Sequence, residues 1–150
     1  MGVVAVIDVN LLVRGILSSK GGSRALIVAF KRCEFVPVTS RRHLAELYGV
    51  LGYRRLTRKW PIARRIRNRI VAQLYQRVIW VEPEGTLHLC RDPRDDYLLE
   101  AALLGRAAYL VSEDSDLYDD PAILKFLSQR GVQVVRLAEF LTILRKAQWS

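Results

Sequence analysis

The sequence predicts an α/β fold in which a doubly wound, mostly parallel sheet is flanked by helices. Short runs of β-branched and other apolar residues, beginning with Val3–Ile7, alternate along the chain with segments of helical periodicity. An uninterrupted apolar run is typical of a strand that is buried on both faces, as the strands of parallel sheets are. Strands that alternate with helices form βαβ units, and such units build parallel sheets.

The predicted elements follow one another in a regular order. A helix is expected at Leu11–Leu17 with Asn10 as its N-cap, which would leave Asp8 free for chemistry. Pro37 in the second strand hints at an edge strand or a strand end. The other strands are predicted at Phe35–Val38, Val78–Val81, Ala107–Val111 and Val132–Val135. The other helices are predicted from Ser23 to about Lys31, from Thr39 or Ser40 to about Leu51, and at Arg94–Gly105, Pro121–Arg130 and Ala138–Lys146. The basic segment that follows Gly52-Tyr53 is predicted to form one or two helices, with Pro61 well placed at a helix start.

Length and composition predict one domain that spans residues 1–150, because 150 residues is an ordinary domain size. No apolar run approaches the roughly 18 residues that a membrane span needs. Met1 leads straight into the first strand and leaves no room for a signal peptide. Cys33 and Cys90 lie in no Cys-x-x-Cys pair, so reduced thiols are expected rather than a zinc site. We therefore expect a cytoplasmic protein without membrane association.

The net charge of +9 comes from a single segment. The stretch from Leu47 to Val81 holds nine Lys or Arg residues and no Asp or Glu, whereas the other 15 basic residues balance all 15 acidic ones (24 − 9 = 15). Arginine suits phosphate, so this segment predicts a nucleic-acid-binding surface. A solvated helical face, or a surface for an acidic protein partner, remains the alternative. Eight of the nine cations are Arg54, Arg55, Arg58, Lys59, Arg64, Arg65, Arg67 and Arg69.

Acidic residues stand at four places where the predicted fold can bring them together. Asp8 ends the first strand, and Asp114 and Asp116 follow the strand Ala107–Val111. The carboxyl ends of parallel strands share one edge of the sheet, where ligands of open α/β sheets bind. Asp95 and Asp96 open a helix that can reach the same space, and Glu46 lies within another helix. These acids also have structural explanations. Asp95 and Asp96 are favoured at a helix N-terminus by the helix dipole, and Asp114 and Asp116 can cap the turn into the next helix. Glu46 can pair with Arg42, four residues earlier on the same helix.

Carboxylates that converge repel one another, and a divalent cation relieves the repulsion. Oxygen ligands without His or Cys select Mg²⁺ or Mn²⁺ over Zn²⁺. Such ions activate water and stabilise an in-line displacement at phosphorus. Together with a basic segment for the substrate backbone, the acids predict a metal-dependent nuclease.

The motifs in their order resemble the PIN domain family, and within it the VapC-like toxins of toxin–antitoxin pairs. They are Val-Ile-Asp-Val-Asn near the start, a mid-chain Glu, Cys-Arg-Asp-Pro-Arg-Asp-Asp-Tyr-Leu-Leu-Glu-Ala-Ala, and Leu-Val-Ser-Glu-Asp-Ser-Asp-Leu. The resemblance implies a single PIN-like domain, dependence on Mg²⁺ or Mn²⁺, and cleavage of single-stranded RNA. It also implies a homodimer or higher homo-oligomer, and a cognate antitoxin bound over the site.

By position, the resemblance assigns catalytic and metal-binding roles to acidic residues and supporting roles to polar ones. Asp96 is preferred over Asp95 because it keeps the family's spacing to Ala101, although the sequence alone does not separate the two. Two positions depart from the family: its members often carry an acid where Arg94 stands and a glycine where Glu113 stands. The acids are Asp8, Glu46, Asp96 and Asp114, with Asp116 as a further metal ligand, and the supporting residues are Asn10, Ser112 and Asp95.

Other functions of acid-bearing α/β folds find less support. A phosphatase of the haloacid dehalogenase type would need an Asp where Asn10 stands, and a response-regulator receiver would need a phospho-accepting Asp on its middle strand. No Gly-x-Gly-x-x-Gly motif follows Asp8, which disfavours dinucleotide binding. The remaining alternative is a non-catalytic RNA- or protein-binding module on the same fold.

Overall fold

The computed structural model describes residues 2–18, 20–51, 68–69, 71–73 and 76–148. Pro61 and seven of the eight cations between Arg54 and Arg69 lie outside the described residues, so the predicted helices and nucleic-acid-binding surface of that segment stay predictions. Arg69 is described, and it is exposed. Within the described residues, no helix combines the length and the apolar character that crossing a bilayer requires.

Five parallel strands form one sheet in the order β3-β2-β1-β4-β5, which confirms the predicted fold class. The strands are β1 (Val3–Ile7), β2 (Phe35–Thr39), β3 (Ile79–Trp80), β4 (Tyr109–Val111) and β5 (Gln133–Val135). The chain leaves β1 to build one half of the sheet through β2 and β3, and then returns to β1's other side through β4 and β5. The reversal of strand order between β1 and β4 is where doubly wound sheets open a crevice for ligands.

The helices lie close to their predicted positions. They are α1 (Val9–Leu17), α2 (Gly22–Lys31), α3 (Arg41–Leu51), α4 (Pro93–Leu104), α5 (Ser115–Tyr118), α6 (Pro121–Ser128) and α7 (Leu137–Gln148). The short helix α5 has no counterpart in the sequence prediction, because its four residues are too few to show helical periodicity.

Apolar residues cover both faces of the sheet, as expected for parallel strands. Ala5 and Ile7 of β1 point into one core, which α1, α2, α3 and α7 also line. Val6, between them, points into the other core, together with residues of α4 and α6. Because successive side chains of a strand alternate between faces, this arrangement fixes the end of β1 between two packed layers.

The suggestion of an edge position for β2 is wrong. β2 lies between β1 and β3, so Pro37 is in an internal strand. The strand tolerates the proline because β3 pairs only with Val38 and Thr39, which follow it. The N–H that Pro37 lacks therefore faces no ladder on that side.

Candidate active site

Asp8 stands at the point where β1 ends and α1 begins. Its backbone N–H donates to Val111 O (2.9 Å), which continues the β1–β4 ladder by one residue. Its side chain is the N-cap of α1, since Oδ1 accepts the Asn10 N–H (3.2 Å). The expectation that Asn10 would be the cap is therefore wrong: Asp8 alone separates the strand from the helix, so the first polar side chain takes the cap. Asn10 itself is exposed in the first turn.

Ser112 connects the ends of β1 and β4. The fully buried Ser112 Oγ donates to Asp8 Oδ2 (2.8 Å) and accepts the Asp114 N–H (3.0 Å). Asp8 is itself 8% exposed, so its carboxylate has little freedom to turn. Ser112, which was expected to support the site, thus holds Asp8 and the start of the Asp114 turn together. Burial and two donors give Asp8 a defined orientation.

Asp114 and Asp116 follow β4 at the same edge of the sheet. Asp114 is the exposed N-cap of α5, and its Oδ1 accepts the Asp116 N–H (2.9 Å). The Asp116 carboxylate lies 3.8 Å from Arg91 Nη1 and is half exposed. Both acids therefore have local structural partners, and Asp114 is the one whose charge also acts on the rest of the cluster.

Asp95 belongs to this cluster through the first turn of α4. Burial is the largest cause that raises the pKa of its carboxyl, and the negative charges of Asp8, Asp92 and Asp114 act in the same direction. Against the opposing effect of Arg94, these causes together raise the pKa to about 7. Because three other carboxylates raise its pKa, the Asp95 carboxyl lies in a region of negative electrostatic potential. Asp95 is therefore on the site-facing side of α4.

Asp96, which the sequence favoured, faces elsewhere. It is 4% exposed, and its Oδ1 accepts the backbone N–H groups of Leu89 (2.9 Å) and Cys90 (2.9 Å). One turn later, Glu100 accepts the N–H groups of Gly85 (3.0 Å) and Leu87 (2.8 Å) in the same way. Asp96 and Glu100 lie four residues apart on one face of α4. Through these hydrogen bonds they hold the segment that precedes α4 against the helix. The preference for Asp96 over Asp95 is therefore reversed, because the Asp96 side chain is on the face of α4 that binds Leu89 and Cys90.

Glu46 reaches the cluster from α3. Burial raises the pKa of its carboxyl, and the charges of Asp8 and Asp92 add to this, while Arg94 and Arg42 act in the opposite direction. Its electrostatic partners thus come from β1, α3 and the start of α4. The pairing with Arg42 that the sequence offered as an alternative is one part of this environment, and the Asp8 carboxylate lies within electrostatic range of Glu46.

No three His, Cys, Asp or Glu side chains among the described residues are grouped closely enough, as they stand, to hold a metal ion. The donor set around Asp8 is nevertheless chemically suited to a hard divalent cation, because it consists of carboxylates that repel one another. Asp8 is fixed, whereas Asp114 is exposed and Asp95 partly so. Holding an ion therefore requires the side chains of Asp95 and Asp114 to turn toward Asp8.

Two features near the site were not found by sequence reasoning. His43 is 5% exposed on α3, with Nδ1 2.8 Å from Ser40 Oγ, and its Nε2 has no hydrogen-bond partner in the part of the chain that is described. Glu113, which was expected to add negative charge near the acids, is paired with a cation. It accepts from Arg136 Nε (2.8 Å) and from the Leu137 N–H (3.0 Å) at the start of α7.

A family model described as the PIN domain matches residues 4–116. The chain belongs to the PIN domain family. The matched span runs from β1 through α5's first residues, and it contains all the acids of the cluster. PIN domains are generally nucleases and typically use divalent metals. No curated protein matches the chain significantly.

Proposed function

We propose that this PIN domain is a metal-dependent endoribonuclease that hydrolyses phosphodiester bonds of single-stranded RNA. The observation that carries the proposal is that carboxylates from four different parts of the chain lie within electrostatic range of one another around Asp8. They are Asp8 after β1, Glu46 in α3, Asp95 in α4 and Asp114 after β4. A fold gains no stability from gathering like charges, so their meeting indicates a site that binds a cation.

In this proposal Asp8, Asp95 and Asp114 hold Mg²⁺ or Mn²⁺, with Glu46 beside them. The bound ion supplies an activated water and stabilises the charge that develops at phosphorus. Asp96 is left out because its carboxylate accepts two backbone N–H groups. Asp116, which lies beside Arg91, is left out as well.

The protein's own groups fix the geometry before substrate arrives. Ser112 Oγ and the Asn10 N–H each occupy one oxygen of Asp8, so the carboxylate is oriented on both sides. Such outer partners set the direction of a ligand's remaining lone pairs. Burial of Asp8 between two core layers excludes water from its inner side.

The experiment that tests the proposal is cleavage of labelled single-stranded RNA by the purified protein, with Mn²⁺ or Mg²⁺ and then with EDTA. Asp8→Asn is the informative variant, because Asn also caps helices well and the substitution removes charge while keeping the fold. Glu139→Gln, at an exposed acid of α7, is the matched control. We expect metal-dependent cleavage by the wild type and the control, and none by Asp8→Asn. Cleavage that survives Asp8→Asn contradicts the proposal.

A second candidate is a non-catalytic RNA- or protein-binding module on the PIN fold. One observation favours it: in the described residues the acids are not drawn around a common point as they stand. The same experiment separates the two. A binding module retains RNA but cleaves it with neither metal, whereas the nuclease cleaves it.

The narrower proposal is that the chain is the toxin of a toxin–antitoxin pair, with a cognate antitoxin over the site and a homodimeric or higher assembly. It rests on the resemblance of its motifs to VapC-like toxins. Induced expression of the wild type should arrest growth of a bacterial host, and expression of Asp8→Asn should not. Light scattering on the purified chain measures the assembly, and a monomer contradicts that part of the proposal.

A further inference from the structure

Two arginines, Arg42 and Arg94, lie within electrostatic range of the Glu46 carboxylate. Arg42 precedes it by one turn on α3, and Arg94 lies in the first turn of α4. The Arg42 guanidinium stacks on Tyr97 of α4, the helix whose first turn carries Arg94, so the contact between α3 and α4 brings both arginines to one region. A cluster of carboxylates repels a phosphodiester, so a nuclease needs cations close to it to retain the strand.

Arg94 is held in place by Asp92. Its Nη2 lies 2.8 Å from Asp92 Oδ2, and its Nε lies 3.2 Å from Oδ1 and 3.1 Å from Oδ2. Asp92 is itself fixed as the N-cap of α4, since its Oδ1 accepts the Arg94 N–H (2.9 Å). The guanidinium fork therefore has a defined plane although the side chain is 67% exposed.

Arg42 is held by an aromatic ring rather than by an acid. Its guanidinium carbon lies 3.8 Å from the centroid of the Tyr97 ring, in a cation–π stack between α3 and α4. Stacking covers one face of the guanidinium, and Arg42 is otherwise exposed. Tyr97 directly follows Asp96 in α4. The turn of α4 that binds the segment before the helix therefore also carries the ring on which Arg42 stacks.

Both arginines keep donors that no described residue uses. Asp92 accepts hydrogen bonds from Nε and Nη2 of Arg94. The Nη1 hydrogens of Arg94 have no acceptor among the residues that the structure describes. Arginine presents five N–H donors. Side chains that are already ordered lose less conformational entropy when they bind a ligand.

We propose that Arg42 and Arg94 form a phosphate-binding subsite for single-stranded RNA on the Glu46 side of the acid cluster, with Tyr97 and Asp92 as positioning residues. The inference deepens the proposed nuclease function and rests on it. The subsite takes the backbone of the strand next to the bond that is cut. It lies within the described residues and is independent of the basic segment between Arg54 and Arg69.

The test measures binding, with cleavage prevented by Asp8→Asn. Fluorescence anisotropy gives the Kd for a short labelled uridine homopolymer across a salt series with Mg²⁺ present. Each phosphate contact contributes a slope of about −0.7 to log affinity against log salt for a single strand. We expect Arg42→Ala and Arg94→Ala each to make the slope about 0.7 shallower, and the double variant to make it about 1.4 shallower.

Two controls separate a phosphate contact from other roles. Arg94→Lys keeps the charge and should keep the slope, although affinity falls because lysine lacks the fork. Arg130→Ala removes an exposed arginine that follows the C-terminal end of α6 and stacks on Phe126, and it should leave both slope and Kd unchanged. A slope unchanged in Arg42→Ala and Arg94→Ala overturns the inference, as does an equal change in Arg130→Ala.

The failure of this inference is distinct from a failure of the nuclease proposal. If the wild type cleaves RNA and the slopes do not change, the subsite is overturned and the nuclease stands. If the slopes become shallower as expected and the wild type cleaves with neither metal, the two arginines contact RNA and the nuclease is overturned. Retention of an acidic protein but not of RNA by the Asp8→Asn protein overturns both.

Discussion

Ser112 Oγ donates a hydrogen bond of 2.8 Å to Asp8 Oδ2, although 104 positions separate the two residues in the chain. The pairing of β1 with β4 brings them together, because each directly follows its strand. The hydroxyl is fully buried, and its other bond, from the Asp114 N–H, connects a second acid to the same point. One serine therefore orients the carboxylate on which the proposed site depends.

Replacing Ser112 with Ala should weaken the site without unfolding the protein. Outer-sphere partners of a metal ligand are typically worth about 10- to 100-fold in affinity or activity, and we expect a loss in that range for Mn²⁺ affinity. Calorimetric titration of Mn²⁺ and the rate of RNA cleavage measure it. Ser128→Ala, at an exposed position of α6, is the control. Unchanged Mn²⁺ affinity in Ser112→Ala would show that the bond has no part in orienting Asp8.

Alanine at Asp95 and at Asp96 should have opposite consequences. Asp95→Ala removes a carboxyl whose pKa is raised by burial and by neighbouring acids, so cleavage is lost while stability at pH 8 stays the same or rises. Asp96→Ala leaves two backbone N–H groups without their acceptor, which costs roughly 3 kcal/mol of unfolding free energy. Urea unfolding and cleavage rates on both variants measure the two effects.

The reverse pattern, with stability lost in Asp95→Ala and kept in Asp96→Ala, contradicts this assignment. Glu100→Ala is a useful third variant. Its carboxylate accepts two backbone N–H groups just as Asp96 does, so it should lose stability to a similar extent.

The convergence of Asp8 with Asp114 could be predicted from sequence, because it follows from topology alone. Residues after two parallel strands meet wherever the strands are neighbours. The choice between Asp95 and Asp96 could not be predicted in this way. Successive residues of a helix point about 100° apart, and which of them faces the site depends on where the segment from Gly85 to Cys90 returns along α4.

The cap of α1 and the environment of His43 were missed for a related reason. A sequence shows that Asp8 and Asn10 are both good caps, but only the backbone shows that α1 already starts at Val9, directly after Asp8. His43 lies on a helix whose buried face also carries Leu47 and Leu51. Its burial follows from periodicity, whereas its bond to Ser40 depends on the turn between β2 and α3.

His43 should make the protein sensitive to mild acid. Burial, and to a smaller extent the nearby charge of Arg42, lower the pKa of its imidazole to about 4. The unfolded chain, with a pKa near 6.5, takes up this proton first as pH falls. The free energy of unfolding should therefore decrease from about pH 6.5 to about pH 4, by roughly 3 kcal/mol in total for a shift of about 2.5 units.

The variant His43→Gln isolates this effect, since glutamine does not titrate and all other groups remain. Thermal melts of both proteins at several pH values give the difference. We expect the wild type to lose stability relative to His43→Gln over that interval and to differ by a constant above pH 7. Parallel curves throughout would mean that His43 does not titrate on unfolding.

Two helical glycines should respond oppositely to alanine. A Cβ at Gly15 of α1 would meet Ser23 O at 2.5 Å and Ile27 Cγ1 at 2.7 Å, so Gly15→Ala should destabilise the fold by about 1–3 kcal/mol. At Gly49 of α3 a Cβ meets no described atom within 4 Å. Gly49→Ala should therefore stabilise by about 0.5–1 kcal/mol, because alanine favours the helix. Urea unfolding measures both, and a stabilised Gly15→Ala would contradict the close packing of α1 on α2.

The raised pKa of Asp95 should make metal affinity depend on pH. With a carboxyl that titrates at about 7, a divalent cation must displace a proton to bind below that pH, and above it the carboxylate is already ionised and repelled by its neighbours. Mn²⁺ affinity should therefore tighten from pH 6 to pH 8. The melting temperature at pH 8 should also rise more on adding Mn²⁺ than it does at pH 6, because the ion relieves repulsion that exists only at the higher pH. Asp95→Asn should bind Mn²⁺ more weakly and with a shallower pH dependence over the same interval. An equally steep dependence in Asp95→Asn would show that another group supplies the proton, and Asp95 would then no longer be the ligand from α4.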